Sequence, residues 1–203
     1  PPPSSPLIEL ASYFFTVLLV LIIHFFLTYG SLLFLLTKVK LVYFYSKMKN
    51  AILFAFSTAS SAATIPVTLK TVEEELKVDK SVASFSVPLG ATINMDGTAI
   101  MQGVATIFIA NAYGINLEIS DFISVIMVAT LASIGTAGVP GVGLIMLAMV
   151  LNQVGLPSEG IALIIGIDRL LDMTRTAVNV TGDAAISCVV ASSEKKINYN
   201  YKE

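Results

Sequence analysis

The chain has 203 residues and a formal charge of -2; 55% of its residues are apolar, only 13% are charged, and the mean hydropathy is +0.82. A soluble domain carries roughly twice that charge fraction, and no basic patch is large enough to neutralise a run of phosphates, which excludes a nucleic-acid partner. The one cysteine, Cys188, can form neither an internal disulfide nor a thiolate metal site and reads as a space-filling helix residue.

The opening Pro1-Pro2-Pro3-Ser4-Ser5-Pro6 carries no signal-peptide pattern, so the sequence is expected to be a segment of a longer chain, with residues 1–7 as an extracellular start. Residues 8–36 are almost uniformly apolar and long enough to cross the hydrocarbon of a bilayer with some tilt, which places a transmembrane helix over 8–38. His24 is the titratable group well inside it and reads as a helix-packing histidine with a hydrogen-bonded partner.

Residues 51–68 are apolar but short, crowded with Ser57, Thr58, Ser60, Ser61 and Thr64, and interrupted by Pro66. Such a segment fits a re-entrant hairpin with its tip buried in protein, or a helix packed through small residues. Residues 70–80, with Glu73, Glu74 and Glu75 near Lys77, read as a solvated surface segment. The next span, 82–112, is interrupted at Asn94-Met95-Asp96-Gly97-Thr98. Polar residues with a glycine at mid-span break a helix, and the freed carbonyls become oxygen ligands for a monovalent cation.

Residues 122–152 are interrupted by 133–143, which hold four glycines and Pro140 and cannot keep a regular helix. Two half-helices should meet there at a backbone-rich tip, making a second hairpin. The half-helix starting near Gly141 would aim its free N–H groups at an anion such as a carboxylate. A phosphate loop is excluded, because the Lys-Ser/Thr ending and the preceding strand are both absent.

The final span, 158–192, carries Asp168, Arg169, Asp172, Arg175 and Asp183 in an apolar background. At about 100° per residue, Asp168, Asp172, Arg175, Asn179 and Asp183 fall near 0, 40, 340, 20 and 60°, so they share one face. Ionisable groups at membrane depth look onto a protein-lined or watery cavity and mark a substrate or ion path. Lysines cluster after the first span (Lys38, Lys40, Lys47, Lys49), after the first hairpin (Lys70, Lys77, Lys80) and at the end (Lys195, Lys196, Lys202), whereas the loops at 116–121 and 157–160 have none. By the positive-inside rule the chain starts outside and ends in a cytoplasmic tail, 193–203, and the hairpins enter from opposite sides of the membrane. Hairpin plus span, twice and inverted, is an inverted repeat within a transport core of 39–192. The expected fold is an all-α membrane protein.

The 94–98 segment, the tip Gly135-Thr136-Ala137-Gly138-Val139-Pro140-Gly141 and the run 172–183 together resemble the glutamate/aspartate transporter family of sodium- or proton-coupled dicarboxylate and amino acid symporters. The resemblance covers nearly the whole chain from the first span onward. It implies a secondary transporter, not an enzyme, importing glutamate or aspartate on a sodium gradient with the second hairpin as outer gate. It further implies earlier helices that build a homotrimeric scaffold in the bilayer.

Carried over position by position, the resemblance has Arg175 pair with the side-chain carboxylate of the substrate and Asp172 take its α-ammonium. Asn179, Thr176 and Thr98 complete the pocket. Ser61 and backbone groups at Val139 and Gly143 hold the α-carboxylate. One sodium is implied among Gly90, Asn94, Asn179 and Asp183. A second is implied on carbonyls of Thr92, Ser133, Ile134 and Thr136 near Met95, and a third at Asn94 and Asp96 with ligands from outside this segment. Asp168 is left to order Arg175 or to bond the first hairpin. Two positions where many relatives carry arginine hold Ala59 and Met173, and Arg169 lies about 100° off the stripe. Proton coupling or a four-carbon dicarboxylate substrate is the neighbouring reading, although a substrate without an amino group gives Asp172 no partner. A membrane-embedded hydrolase built on Asp96 and Asp172 as a proton-sharing pair is the remote one.

Overall fold

The structure is a computed structural model that describes residues 6–199. The first five residues and the last four, including Lys202, lie outside the described residues, so the expected extracellular start and cytoplasmic tail are described only in part. The chain is helical: α1 (Pro6–Ile23), a π segment (His24–Thr28), α2 (Tyr29–Leu36), α3 (Leu41–Thr58), α4 (Ser61–Lys70), a second π segment (Thr71–Glu75), α5 (Lys80–Ile93), α6 (Asp96–Ala112), α7 (Ile119–Ile134), α8 (Val142–Gln153), a 3-10 turn (Ser158–Leu163) and α9 (Ile165–Ser193). Among the described residues the one β-type pairing is the bridge between Val78 and Ile197.

From α1 through α2 the backbone is one helical run, and Leu7–Leu36 is long and apolar enough to cross a bilayer. Tyr13, Val17, Leu21, Tyr29 and Leu33 make its buried stripe, while Phe15, Leu19, Ile22, Phe26, Leu27 and Phe34 point outward. That division is what a helix packed on one side and bathed in lipid on the other requires. The π segment inserts a residue into this stripe, re-phasing His24 and Tyr29 onto a common neighbour.

The first hairpin is longer than the apolar segment 51–68 suggested. Its first arm starts at Leu41, so Lys47 and Lys49 ride on a helix rather than in a loop. Its break falls at Ala59, which takes the left-handed conformation (φ 50°), and at Ser60, whose hydroxyl caps α4 through the Ala63 amide. Pro66 is carried inside α4 without ending it. The segment after it is only partly solvated: Glu73, Glu74 and Lys77 are on the surface, but Val72 and Leu76 are fully buried. At the base of this hairpin Lys47 pairs with Glu75 at 2.7 Å and holds that carboxyl below its ordinary range. Asp79 is likewise held low by the hydroxyl and amide of Ser81.

The helix α5/α6 breaks only at Asn94 and Met95; Asp96, Gly97 and Thr98 already form the first turn of α6. The long helix α9 is buried around its full circumference from Arg175 to Ala185, with α3 and α5 packed along it. Hydrogen bonds from Asp79 to Lys196 and from Asn198 to Lys77 put the base of the first hairpin at the C-terminal end of α9. The second hairpin, α7/α8, is joined to the N-terminal end of α9 by the 3-10 turn. The hairpins thus approach from opposite ends of α9, and their tips meet beside it.

Candidate functional site

Three elements converge at mid-molecule: the two hairpin tips and the polar stripe of α9. The Gly138 carbonyl of the second tip accepts the Ser60 hydroxyl at 2.7 Å and the Ala62 amide at 3.1 Å from the first. Three residues on, Gly141 sits at φ +81°, a conformation only glycine takes without strain, and turns its amide onto Asp172 Oδ2 at 3.0 Å. The expectation of a half-helix starting near Gly141 matches α8, which begins at Val142; its capping amide is met by a carboxylate.

On α9, Asp168, Asp172, Arg175, Asn179 and Asp183 are all buried. Arg175 donates from Nη1 to Asp168 Oδ1 at 2.9 Å and from Nη2 to Asp168 Oδ2 at 3.3 Å, and Nη2 also reaches Asp172 Oδ1 at 2.9 Å. A guanidinium this deep needs compensation, and two carboxylates supply it. Of the two roles left open for Asp168, the structure gives it the bond to Arg175.

Ser61, Thr98, Val139, Gly143, Asp172, Thr176 and Asn179 line one shared cavity, with Arg175 beside Gly143 at its edge. The cavity is about 10 Å³, room for one water at most, so the site is closed. Besides Asp172, two of these side chains are already committed. Thr176 donates its hydroxyl to the Asp172 carbonyl, and Asn179 accepts from the Gly97 amide at 2.8 Å while its Nδ2 faces Met95 Sδ. Asn179 therefore fastens the break of α5/α6 to α9. Val139 leaves its side chain half exposed, and its amide donates to the Ala137 carbonyl at 2.8 Å.

Below lie the residues expected to hold a cation. Asn94 donates Nδ2 to Asp183 Oδ1 at 2.9 Å and to the Asn179 carbonyl at 3.1 Å. Its side chain thus presents nitrogen, not the oxygen expected of a sodium ligand, and an N–H donor takes the place between two oxygens that a cation would claim. The Gly90 carbonyl, also expected in that cation site, accepts the Asn94 backbone amide at 2.8 Å. Gly90 is essential to this packing: a Cβ there would stand 2.5 Å from Asp183 Oδ1. Ser133 and Thr136 are buried at the C-terminal end of α7, the negative end of its dipole, where the Ser133 carbonyl accepts the Thr136 amide at 3.1 Å, whereas Ile134 and Thr92 turn their side chains outward. Among the described residues no three His, Cys, Asp or Glu side chains cluster as a divalent-metal site would demand. A cleft of about 560 Å³ between α5 and α9 runs from Ser81 and Lys196 to Asn94 and Asp183.

Asp96 accepts from Tyr29 at 2.6 Å and shares a 2.6 Å contact with His24 Nε2. His24 thus has the hydrogen-bonded partner expected of it. Asp96 and Asp172 have separate partners, and nothing pairs them as a hydrolase dyad requires. Sequence reasoning missed Ser60, Ala62, Gly138 and Tyr29. The Ser60-Ser61 pair ahead of an apolar helix was a capping signal for the first of these; the other three act through backbone or through the π segment and left no pattern.

The chain matches the sodium:dicarboxylate symporter family over residues 4–193. It is 45% identical over 188 residues to mouse excitatory amino acid transporter 3, covering 93% of this chain and 36% of the relative. It is 44% identical over 176 residues to human excitatory amino acid transporter 2, covering 87% and 31%. An excitatory amino acid transporter of Caenorhabditis elegans is 46% identical over 175 residues, covering 86% and 35%. The chain spans about a third of the length of these relatives.

Proposed function

The chain belongs to the sodium:dicarboxylate symporter family, and on that footing we propose that it is the transport core of a secondary active symporter in a membrane, which moves glutamate or aspartate with sodium. The observation that carries this is the set of three groups under the closed hairpin tips: Arg175 for a distal carboxylate, Asp172 for an ammonium, and tip backbone for the α-carboxylate. An acidic amino acid is the small molecule that answers all three. The names of the relatives, excitatory amino acid transporters, support that substrate class.

In this reading the second hairpin is the outer gate. Its tip is bound to the first hairpin at Gly138 and to α9 at Gly141, so opening needs only the loss of a few hydrogen bonds. Sodium would sit at Asp183 with the Gly90, Asn94 and Asn179 carbonyls, and under the tip on the Thr92, Ser133, Ile134 and Thr136 carbonyls near Met95. Asp96, with Tyr29 and His24 on it, is the centre of the third site. The full protein would span the bilayer several times, with this segment starting outside and ending in the cytoplasm, and would trimerise through a scaffold of other helices.

A second reading has one observation in its favour. Asp172 accepts from Arg175 and from Gly141, so a four-carbon dicarboxylate that displaced it from Arg175 but kept the Gly141 bond would not leave it orphaned. Uptake of labelled aspartate by the full-length protein in proteoliposomes, under imposed sodium or proton gradients and with succinate as competitor, decides. Sodium-driven uptake that succinate barely inhibits is expected; proton-driven uptake, or strong competition by succinate, overturns the leading assignment.

A further inference from the structure

Asp168 has no place in the ligand set above, yet it accepts two hydrogen bonds from Arg175 where Asp172 accepts one. We infer that Asp168 is a positioning residue: it grips Arg175 by one edge and so keeps the other edge, and Asp172, available for an acidic amino acid. The inference rests on the proposed substrate reading.

A guanidinium offers a carboxylate two bidentate edges, the end formed by Nη1 and Nη2 and the side formed by Nε and Nη2. Asp168 holds the end, at 2.9 and 3.3 Å. The side is half used, by the 2.9 Å contact from Nη2 to Asp172, and half unused, because among the described residues the buried Nε has no hydrogen-bond partner. Gly143 of the second hairpin lies against Nη2, one of the two nitrogens of that edge. A buried N–H without an acceptor is costly, and a carboxylate arriving on this edge would supply one while displacing Asp172 from Nη2. Asp172 would then be free to take an ammonium.

Asp172 is one turn from Arg175 on the same helix, and Asp168 is two. Without Asp168, the nearest carboxylate could claim the arginine through both oxygens. The pair would neutralise itself, and a substrate would have to break it before using either charge. By pulling the guanidinium toward the start of α9, Asp168 keeps that from happening.

The test is aspartate affinity of the full-length protein at saturating sodium, measured by calorimetry. Asp168→Asn is expected to weaken aspartate binding at least about tenfold, since it disturbs a buried charge pair, and Asp168→Glu to recover most of the loss. Sodium binding measured without aspartate should stay within about twofold of wild type. In an Arg175→Cys background, with serine as ligand, adding Asp168→Asn should change serine affinity by less than about twofold, because Asp168 then has nothing to hold. Wild-type aspartate affinity in Asp168→Asn, an equal loss in Asp168→Glu, or parallel loss of sodium binding would each overturn the assignment. If Arg175→Cys binds no serine, the comparison of Asn with Glu and the sodium control decide. A wild-type protein that binds sodium but no aspartate refutes the substrate reading instead.

Discussion

Gly141 donates its amide to Asp172 Oδ2 across 3.0 Å, so the tip of the second hairpin is fastened to the same carboxylate that is assigned the substrate ammonium. In the proposed reading, gate and ligand would therefore compete for one acceptor. A substrate can take Asp172 and keep the tip shut only by offering its own groups to the tip backbone, which is how a site senses that it is filled.

That competition makes the gate testable. Thr136 is buried beneath the closed tip and is expected to contribute only its carbonyl, so Thr136→Cys, with Cys188 replaced, keeps the ligand while adding a reporter. Thiol labelling should be slow with sodium and aspartate together and several-fold faster when the tip is open. Equal rates with and without ligands would make the segment a static packing element.

Gly90 predicts a second outcome. A methyl group there would meet Asp183 Oδ1 at 2.5 Å, whereas one at Gly103 meets nothing within 4 Å. Gly90→Ala should raise the sodium concentration needed for aspartate binding by about tenfold or more, as expected when a ligand geometry shifts. Gly103→Ala should leave it unchanged and stabilise α6 by up to about 1 kcal/mol. Identical sodium curves for both variants would dissociate Gly90 from the cation.

Much of this site was legible because charge inside an apolar helix is expensive and therefore conspicuous. The stripe from Asp168 to Asp183 could be placed on one face by arithmetic alone, and the polar break at Asn94 and the glycine-rich tip stood out for the same reason. What stayed hidden depends on backbone geometry. His24 and Tyr29 are five residues apart, about 140° around an ordinary α-helix, and reach Asp96 together only because the π segment re-phases them. Gly138 acts through its carbonyl, which every residue has. The first hairpin was read too short because Lys47 and Lys49 look like loop, although Lys47 is satisfied on the helix by Glu75.

The Lys47–Glu75 pair carries a pH signature. Lys47 lowers the pKa of Glu75 in the folded state, so the contribution to stability is complete above the ordinary glutamate value and is lost as pH falls through the lowered one. Both side chains are partly exposed, and the effect is small. The melting temperature of Glu75→Gln should lie slightly below wild type at neutral pH and converge with it in acid. A gap that widens in acid would reverse the assignment.

Arg175 should decide selectivity. Replacing it with Cys removes the partner of a distal carboxylate but leaves Asp172 for an ammonium, so serine should gain on aspartate. Losing a desolvated charge pair should cost aspartate about 2–5 kcal/mol, enough to invert the ratio. Competition binding with both amino acids measures it, and an unchanged aspartate-to-serine ratio in Arg175→Cys would remove Arg175 from the pocket.

In the proposed reading, ion coupling turns on Asp183. In the closed site its Oδ1 accepts the Asn94 amide, which bridges to the Asn179 carbonyl and so presents an N–H dipole where a cation would lie. Sodium must displace that amide, and what it gains in exchange is the one formal negative charge in a shell of carbonyls. Asp183→Asn keeps the shape and removes the charge. The sodium concentration for half-maximal aspartate binding should then rise steeply, by roughly tenfold or more for a buried ion that loses its counter-charge. Saturating sodium should partly restore aspartate affinity, because Asp172 and Arg175 are untouched. Sodium titrations of aspartate binding on the full-length variant measure both effects. If the variant keeps the wild-type sodium dependence, Asp183 serves the fold or carries a proton, and proton coupling becomes the better account of the family trait in this chain.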